Sequence, residues 1–330
     1  MISIRIIHDL VYVKDIQYQQ IKRYFPKHEL YKYDYYDNQK FNKVYYNIYL
    51  DSISENIYLN APCKKTILVV NEEYLMHTEY IRRENYIDKP LMYIKDVVDY
   101  YFCFSEYTLN YLVNKNIDKN KIILIKCLCY NIYKNIKIVP FSGHRKYILY
   151  KIDKYGYYDN LLVLNTWIKY FLDRKEILVI RYNDKKELFI KELENRMNKK
   201  INNKKINYYK NIIVLNDEIS LENNKQLLDI ENNINCLLLI STYFNLITLI
   251  NEHIFKKHFI ITPLNDISKE YIVKKECLIK EMSEKELYNS INNYFNLTDK
   301  KCLSIVNNIG RHFIECKKKS KLNIYNFFRV

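Results

Sequence analysis

The chain has 330 residues, 48% hydrophobic and 15% aromatic, with 53 Lys and Arg against 38 Asp and Glu for a formal charge of +15. That apolar content excludes a disordered chain, and the length exceeds what a single core usually serves, so one large or two medium domains are expected. The charge points to an anionic partner such as nucleic acid, phosphates or a membrane surface. Abundant Lys, Asn, Ile and Tyr beside 3 Gly and 5 Pro is also the pattern an AT-rich genome imposes, and no dense basic block interleaves with aromatics as a nucleic-acid surface would require.

Taken in chain order, short β-rich runs alternate with helix-length segments. The first part holds "ISIRII", "VYYNIYL", "TILVVN", "YYFCFS" and "KIILIKC", and the second "KYILYKI", "EILVIRYND", "NIIVLND", "NCLLLIS", "HFIIT" and "CLIK". Near-continuous β-branched runs joined by helical stretches are the mark of parallel strands buried on both faces, hence an α/β fold of two doubly wound halves. "PFSGHR", residues 140–145, reads as the linker. The expected division is residues 1–142, residues 143–315, and a basic then apolar tail, 316–330, that must dock back. Helices are expected over 157–172, 185–198, 221–232, 244–255 and 283–295, the last with Ser283 as N-cap. The charge-rich "NKKINNKKINYYKN" is expected to be an exposed loop or helix end.

Eight cysteines are scattered with no CxxC pair and no His at ligand spacing, so nothing reads as a metal site, and they suit small buried hydrophobes in a reducing compartment. The chain does not open on a signal-like segment. Its longest nearly apolar run, Cys236 to Ile250, is broken by Ser241, Thr242, Asn245 and Thr248, too polar to span a bilayer. A soluble, cytoplasmic protein is the expectation.

Ligands of doubly wound sheets bind beyond the carboxyl ends of the strands, so residues just after each strand are the candidates. Gly156 lies in the turn after the first strand of the second half, where a helix start offers free backbone NH groups to phosphate. Ser241 follows "NCLLLI", and Glu252 stands inside the apolar segment "STYFNLITLINEH". The plain reading of Glu252 is a half-exposed helix residue pairing with Lys256 at i+4.

The order of these segments resembles GT-B glycosyltransferases of the group 1 or family 4 type, in particular the divergent ones of large DNA viruses. That family's second domain opens with a strand, a Ser-containing phosphate loop GKSxxKNT and a helix ending near a Trp; "YGYYDNLLVLNTW" supplies Gly156, Asn160 and Trp167. A Ser, an EGFG-like turn, INEA, a strand ending in Thr and a loop ending in Asn-Glu follow in the family. Ser241, Ile250-Asn251-Glu252, Thr262 and Glu270 stand there in this chain. In the first half "ILVVNEEYL" and "DVVDYYFCFSEYTLNYLV" are similar to the family's Asn-x-Glu turn and Ser-initiated helix, so that the resemblance covers residues 65–310.

The resemblance implies two Rossmann-like domains facing a cleft, with a nucleotide-sugar donor as substrate, no cofactor, metal-independent chemistry and retained anomeric configuration. The acceptor it implies is an unspecified glycan, protein or lipid. Glu252 would grip the donor ribose hydroxyls, with Gly156, Asn160 and Ser241 beside it. The family's phosphate-loop Ser-Lys pair is replaced by Gly156 and Asp159, and an acid facing a diphosphate is repelled. Lys151, Lys154 or Arg181 must then supply the cation, and Arg181 after "EILVI" could hold the diphosphate bidentately or stand as a solvated strand-end charge. His77, with Glu72 or Glu73, could orient an acceptor hydroxyl or be an ordinary loop histidine. The glycine-rich turn is "TYFNLI", with Phe244 in place of the first carboxylate. These departures leave two other readings: a catalytically inactive GT-B relative kept as a binding protein, and a nucleic-acid-binding protein resting on charge alone. The charge would equally suit an acidic acceptor or an anionic membrane face.

Overall fold

The structure is a computed structural model describing residues 3–9, 27–33, 41–50, 61–70, 95–126, 146–152, 157–182, 187–197, 206–216, 229–230, 232–240 and 246–328. The chain divides into two compact units, one of Met1–Ile132 with Phe313–Val330, the other of Tyr133–His312.

The first unit is built on a six-stranded parallel sheet of β1 (Ile4–Asp9), β2 (Glu29–Tyr33), β3 (Val44–Leu50), β4 (Cys63–Val70), β5 (Tyr100–Cys103) and β6 (Ile122–Leu124), in the order β2-β1-β3-β4-β5-β6. The apolar runs do what such runs must in a parallel sheet: Ile67, Leu68, Val69 and Val70 of β4 are all fully buried although their side chains alternate between faces. Ser105 ends the β5 segment and caps helix α1 (Glu106–Asn114), its Oγ accepting from the Thr108 amide. Arg5 is buried on β1, paired with Glu29 of β2 at 3.2 Å and donating to the Asn42 carbonyl at 2.7 Å.

The second unit carries a seven-stranded sheet ordered β13-β12-β11-β7-β8-β10-β9. Its strands are β7 (Tyr147–Lys151), β8 (Ile177–Tyr182), β9 (Ile206–Tyr209), β10 (Ile212–Asn216), β11 (Ile234–Leu238), β12 (Phe259–Pro263) and β13 (Leu278–Ile279). Six of them run parallel, and only the edge strand β9 pairs antiparallel, with β10. The helices described in this unit are α2 (Tyr157–Tyr170), α3 (Glu187–Met197), α4 (Leu246–Phe255), α5 (Asp266–Tyr271) and α6 (Glu284–Asn296). Ser283 caps α6 as expected, accepting from the Glu286 amide.

Two strands depart from the sequence reading. β9 lies inside the segment expected to be loop or helix end, and β2 lies where the sequence pattern predicts no strand. Both are edge strands, and an edge strand needs no continuous apolar run because a neighbour covers it on one side only.

The final helix, α7 (Asp299–Phe328), runs for 30 residues and carries the chain from the second unit into the first. Its end is anchored on the first unit's sheet. Phe327 packs edge-on against Tyr100 and Phe102 at ring distances of 4.7 and 5.6 Å, Phe328 against Tyr46 at 5.1 Å, and Asn323 donates to the Leu124 carbonyl at 2.9 Å. No helix among the described residues is long and apolar enough to cross a membrane.

Candidate functional site

Strand order locates the site. From β7 the chain winds one way through β8 to β10, and from β11 the other way through β12 to β13, so the direction reverses between β7 and β11. At such a switch point the crossover helices leave on opposite faces and open a crevice at the carboxyl ends of the two central strands.

Lys151 is the last residue of β7, and its register partner on β8 is Arg181. Paired residues of a parallel sheet project from the same face, so the two cations stand side by side at its carboxyl edge, with the Ile152 amide donating to the Arg181 carbonyl at 3.0 Å. Glu252 reaches this pair from α4, the helix that follows β11. Its Oε2 lies 3.9 Å from Lys151 Nζ, and its Oε1 accepts from Lys256 Nζ at 2.8 Å, so the i+4 pair of the plain reading exists but is only part of the arrangement. Burial alone would push the Glu252 carboxyl up, but Lys151, Lys256 and Arg181 together hold it below the usual glutamate value. Three cations around one ionised carboxylate leave an excess of positive charge at the crevice.

The layer beneath was not foreseen from the sequence. α4 ends at Phe255, and Lys257 adopts a left-handed conformation with φ 55°; the His258 amide then reaches back to the His253 carbonyl at 2.9 Å and the Lys257 amide to that of Ile254 at 3.1 Å. This termination folds His258 under the helix, and its Nδ1 lies 2.8 Å from Nδ1 of His253, which is fully buried. Burial pushes the His258 imidazole down to about 3 and drives His253 well below the usual histidine value; Lys256 acts in the same sense on both, and Lys151 and Arg181 add to it at His253. Both rings are neutral at physiological pH. The signal in the sequence was "HIFKKH", a pair of histidines flanking a helix end.

Asn160 sits in the first turns of α2, 3% exposed, with Oδ1 accepting from the Tyr150 hydroxyl at 2.5 Å. Tyr150 and Lys151 are successive strand residues and so project to opposite faces, which puts Asn160 across the sheet from Glu252. Asp159 lies in the same first turn. Trp167 is structural: it is fully buried and donates from its indole to Asn211 Oδ1 at 3.2 Å. Thr262 is buried in β12, and Glu270 lies in α5 with its carbonyl 2.9 Å from His312 Nε2. Among the candidates named from the sequence, Glu72, Glu73, His77, Lys154, Gly156 and Ser241 lie outside the described residues. Among the described residues no group of three or more His, Cys, Asp or Glu is placed to hold a metal ion. Of the six cysteines described as free, five are buried.

No protein-family model matches the sequence, and no curated protein matches it. Solved structures match along nearly the whole chain. The sucrose-phosphate synthase of Thermosynechococcus elongatus superposes with a TM-score of 0.68 at 12% identity, covering 100% of this chain and 98% of that one. The HepE protein of Anabaena, in complex with UDP-glucose, gives 0.65 at 9% identity over 100% of both chains. The UDP-GlcNAc 2-epimerase of Neisseria meningitidis, bound to UDP-GlcNAc, gives 0.60 at 10% identity over 99% of this chain and all of that one. At such identities the likeness concerns the fold alone. The chain has the α/β fold shared by GT-B glycosyltransferases and UDP-GlcNAc 2-epimerases, two Rossmann-like units each built on a parallel sheet.

Proposed function

We propose that the protein is a glycosyltransferase that takes its sugar from a nucleotide-sugar donor bound by the second unit. The observation that carries this reading is the grouping of Lys151, Arg181 and an ionised Glu252 at the carboxyl edge of the sheet beside its switch point. A carboxylate there can accept hydrogen bonds from the two ribose hydroxyls, since each oxygen offers more than one lone pair even with Lys256 engaged. Lys151 and Arg181, with Lys154, face the diphosphate and stabilise the charge that develops on it as the glycosidic bond breaks. Gly156 and Ser241 complete the donor site, Asn160 supports it from the other face of the sheet by holding Tyr150, the residue before Lys151, and His77 orients the acceptor hydroxyl. The reaction proceeds without metal and with retention of configuration, onto a glycan, protein or lipid acceptor.

A second reading, a GT-B-like binding protein without catalysis, draws on two observations. Glu252 is already held by Lys256, and Asp159 occupies the first turn of α2, where a diphosphate would meet a like charge.

Thermal unfolding with UDP-, GDP-, ADP- and TDP-sugars separates the two. A ligand at a hundred times its Kd adds about 2.7 kcal/mol to the folded state, which for a domain of this size raises Tm by about 5–10 °C. A rise with one nucleotide, lost in Glu252→Gln and in Arg181→Ala, together with sugar transfer that survives EDTA, supports the enzyme. Absence of any rise at millimolar concentration favours the binding protein.

A further inference from the structure

The last turns of α7 present a surface that the donor site does not use. Between Ile314 and Tyr325 the helix buries Cys316, Ser320 and Ile324 at intervals of four, with Ser320 Oγ donating to the Lys126 carbonyl of the first unit. Ile314, Lys318 and Leu322 follow the same interval offset by two residues, which on a 3.6-residue helix is the opposite side. That side faces outward: Ile314 is 53% exposed, Leu322 57% and Tyr325 58%. Lys318, Lys319 and Lys321 are exposed among them, Lys317 is half-buried, and Glu315 is the one acid in the stretch.

We infer that this face docks the protein peripherally on an anionic lipid surface. A helix lying in a bilayer interface combines an apolar stripe with lysines whose stems run along it and whose ammonium groups meet the headgroups, and a tyrosine suits the same depth. Here the apolar and cationic residues share one exposed face along about 17 Å of helix. A nucleic-acid backbone would be met by the cations alone and would leave Ile314 and Leu322 in water without gain. The lipid surface uses both sets. The opposite side of the helix is fastened to the first unit's sheet, so the face is displayed on a rigid support and needs no folding upon binding.

The test uses the full chain and co-sedimentation with vesicles of phosphatidylcholine alone or with roughly one-third phosphatidylserine, at about 0.1 M salt. The expected result is partition to the anionic vesicles only. It should fall at least about tenfold both in Lys318→Glu/Lys319→Glu/Lys321→Glu and in Ile314→Ser/Leu322→Ser. Since these side chains are exposed, the thermal midpoint of each variant should match the parent's, and donor-induced shifts should be unchanged. No partition to anionic vesicles, or equal partition to neutral ones, overturns the inference. So does a serine variant that binds vesicles like the parent while the parent also retains a duplex oligonucleotide through the lysines, which would identify a general polyanion surface.

Discussion

Acidification between pH 8 and pH 5 should destabilise the second unit steeply, and the His253–His258 pair should account for most of the effect. The two Nδ1 atoms lie 2.8 Å apart, so one donates and the other accepts, and two protonated rings cannot occupy this geometry. The surroundings oppose even one extra proton: Lys256 acts on both rings and Lys151 and Arg181 on His253, with Glu252 alone acting in the opposite sense on His258. In the unfolded chain each imidazole takes up a proton near pH 6.5. Folded values are depressed, so the unfolded state binds more protons below that pH; the stability is complete above about pH 6.5 and is lost progressively as the pH falls toward the folded value, about 3 for His258. At pH 5, about 1.5 units below the unfolded value, the His258 ring costs about 2 kcal/mol, and His253, depressed in the same direction, adds to the loss. Glu252, whose carboxyl is held below its usual value, adds to the loss only at still lower pH. Urea titrations at pH 8 and pH 5 on the parent and on His253→Asn/His258→Asn measure the difference, with a constant m-value as the check on two-state unfolding. A double variant with the parent's pH dependence would refute the reasoning.

Other expectations follow from single anchoring residues. Asn211, at the turn between β9 and β10, donates to the carbonyls of Phe171 and Glu176 at 2.7 and 2.9 Å and accepts from Trp167, so Asn211→Ala strands several buried polar groups and should cost about 3 kcal/mol in urea unfolding; a loss under about 1 kcal/mol would mean that water replaces the amide. Lys257 holds a left-handed conformation at the end of α4 while remaining exposed, so Lys257→Gly should stabilise by about 1 kcal/mol, visible as a raised urea midpoint with no change in secondary structure by circular dichroism. Lys146 donates to carbonyls at the end of α6, those of Tyr294 and Phe295 at 3.1 and 3.0 Å, and to that of the C-cap Leu297 at 2.8 Å. Lys146→Met should therefore speed amide exchange in the final turn of α6 before it affects any other helix.

Much of this was legible in the sequence. The runs "TILVVN", "KYILYKI" and "NIIVLND" are apolar on both faces, and only a parallel strand covered on both sides makes sense of them. Ser105 and Ser283 start helices for a local reason, a side-chain oxygen meeting an unpaired amide; the start at Ser283 is legible from that reason alone, that at Ser105 through the family resemblance. Glu252 stood out as a carboxylate in an apolar helix. β2 and β9 left no such trace, because half of an edge strand's surroundings is solvent and its residues need not be apolar.

What sequence alone determined is therefore local: which segments are strands, which residues cap helices, and which charged side chains interrupt an apolar pattern. Those follow from periodicity and from hydrogen bonds within a few residues. Only the tertiary structure decided that β7 lies between β11 and β8, and with it that Lys151, Arg181 and Glu252, separated by up to 101 positions, meet at one edge. It also decided that His253 is buried against a half-buried His258 with both rings neutral, and that one side of the lysine-rich end of α7 is occupied by the first unit while the other faces outward. An apolar pattern states that a face must be covered; what covers it depends on the order in which distant strands pair, and that order is carried by the packing of the whole sheet.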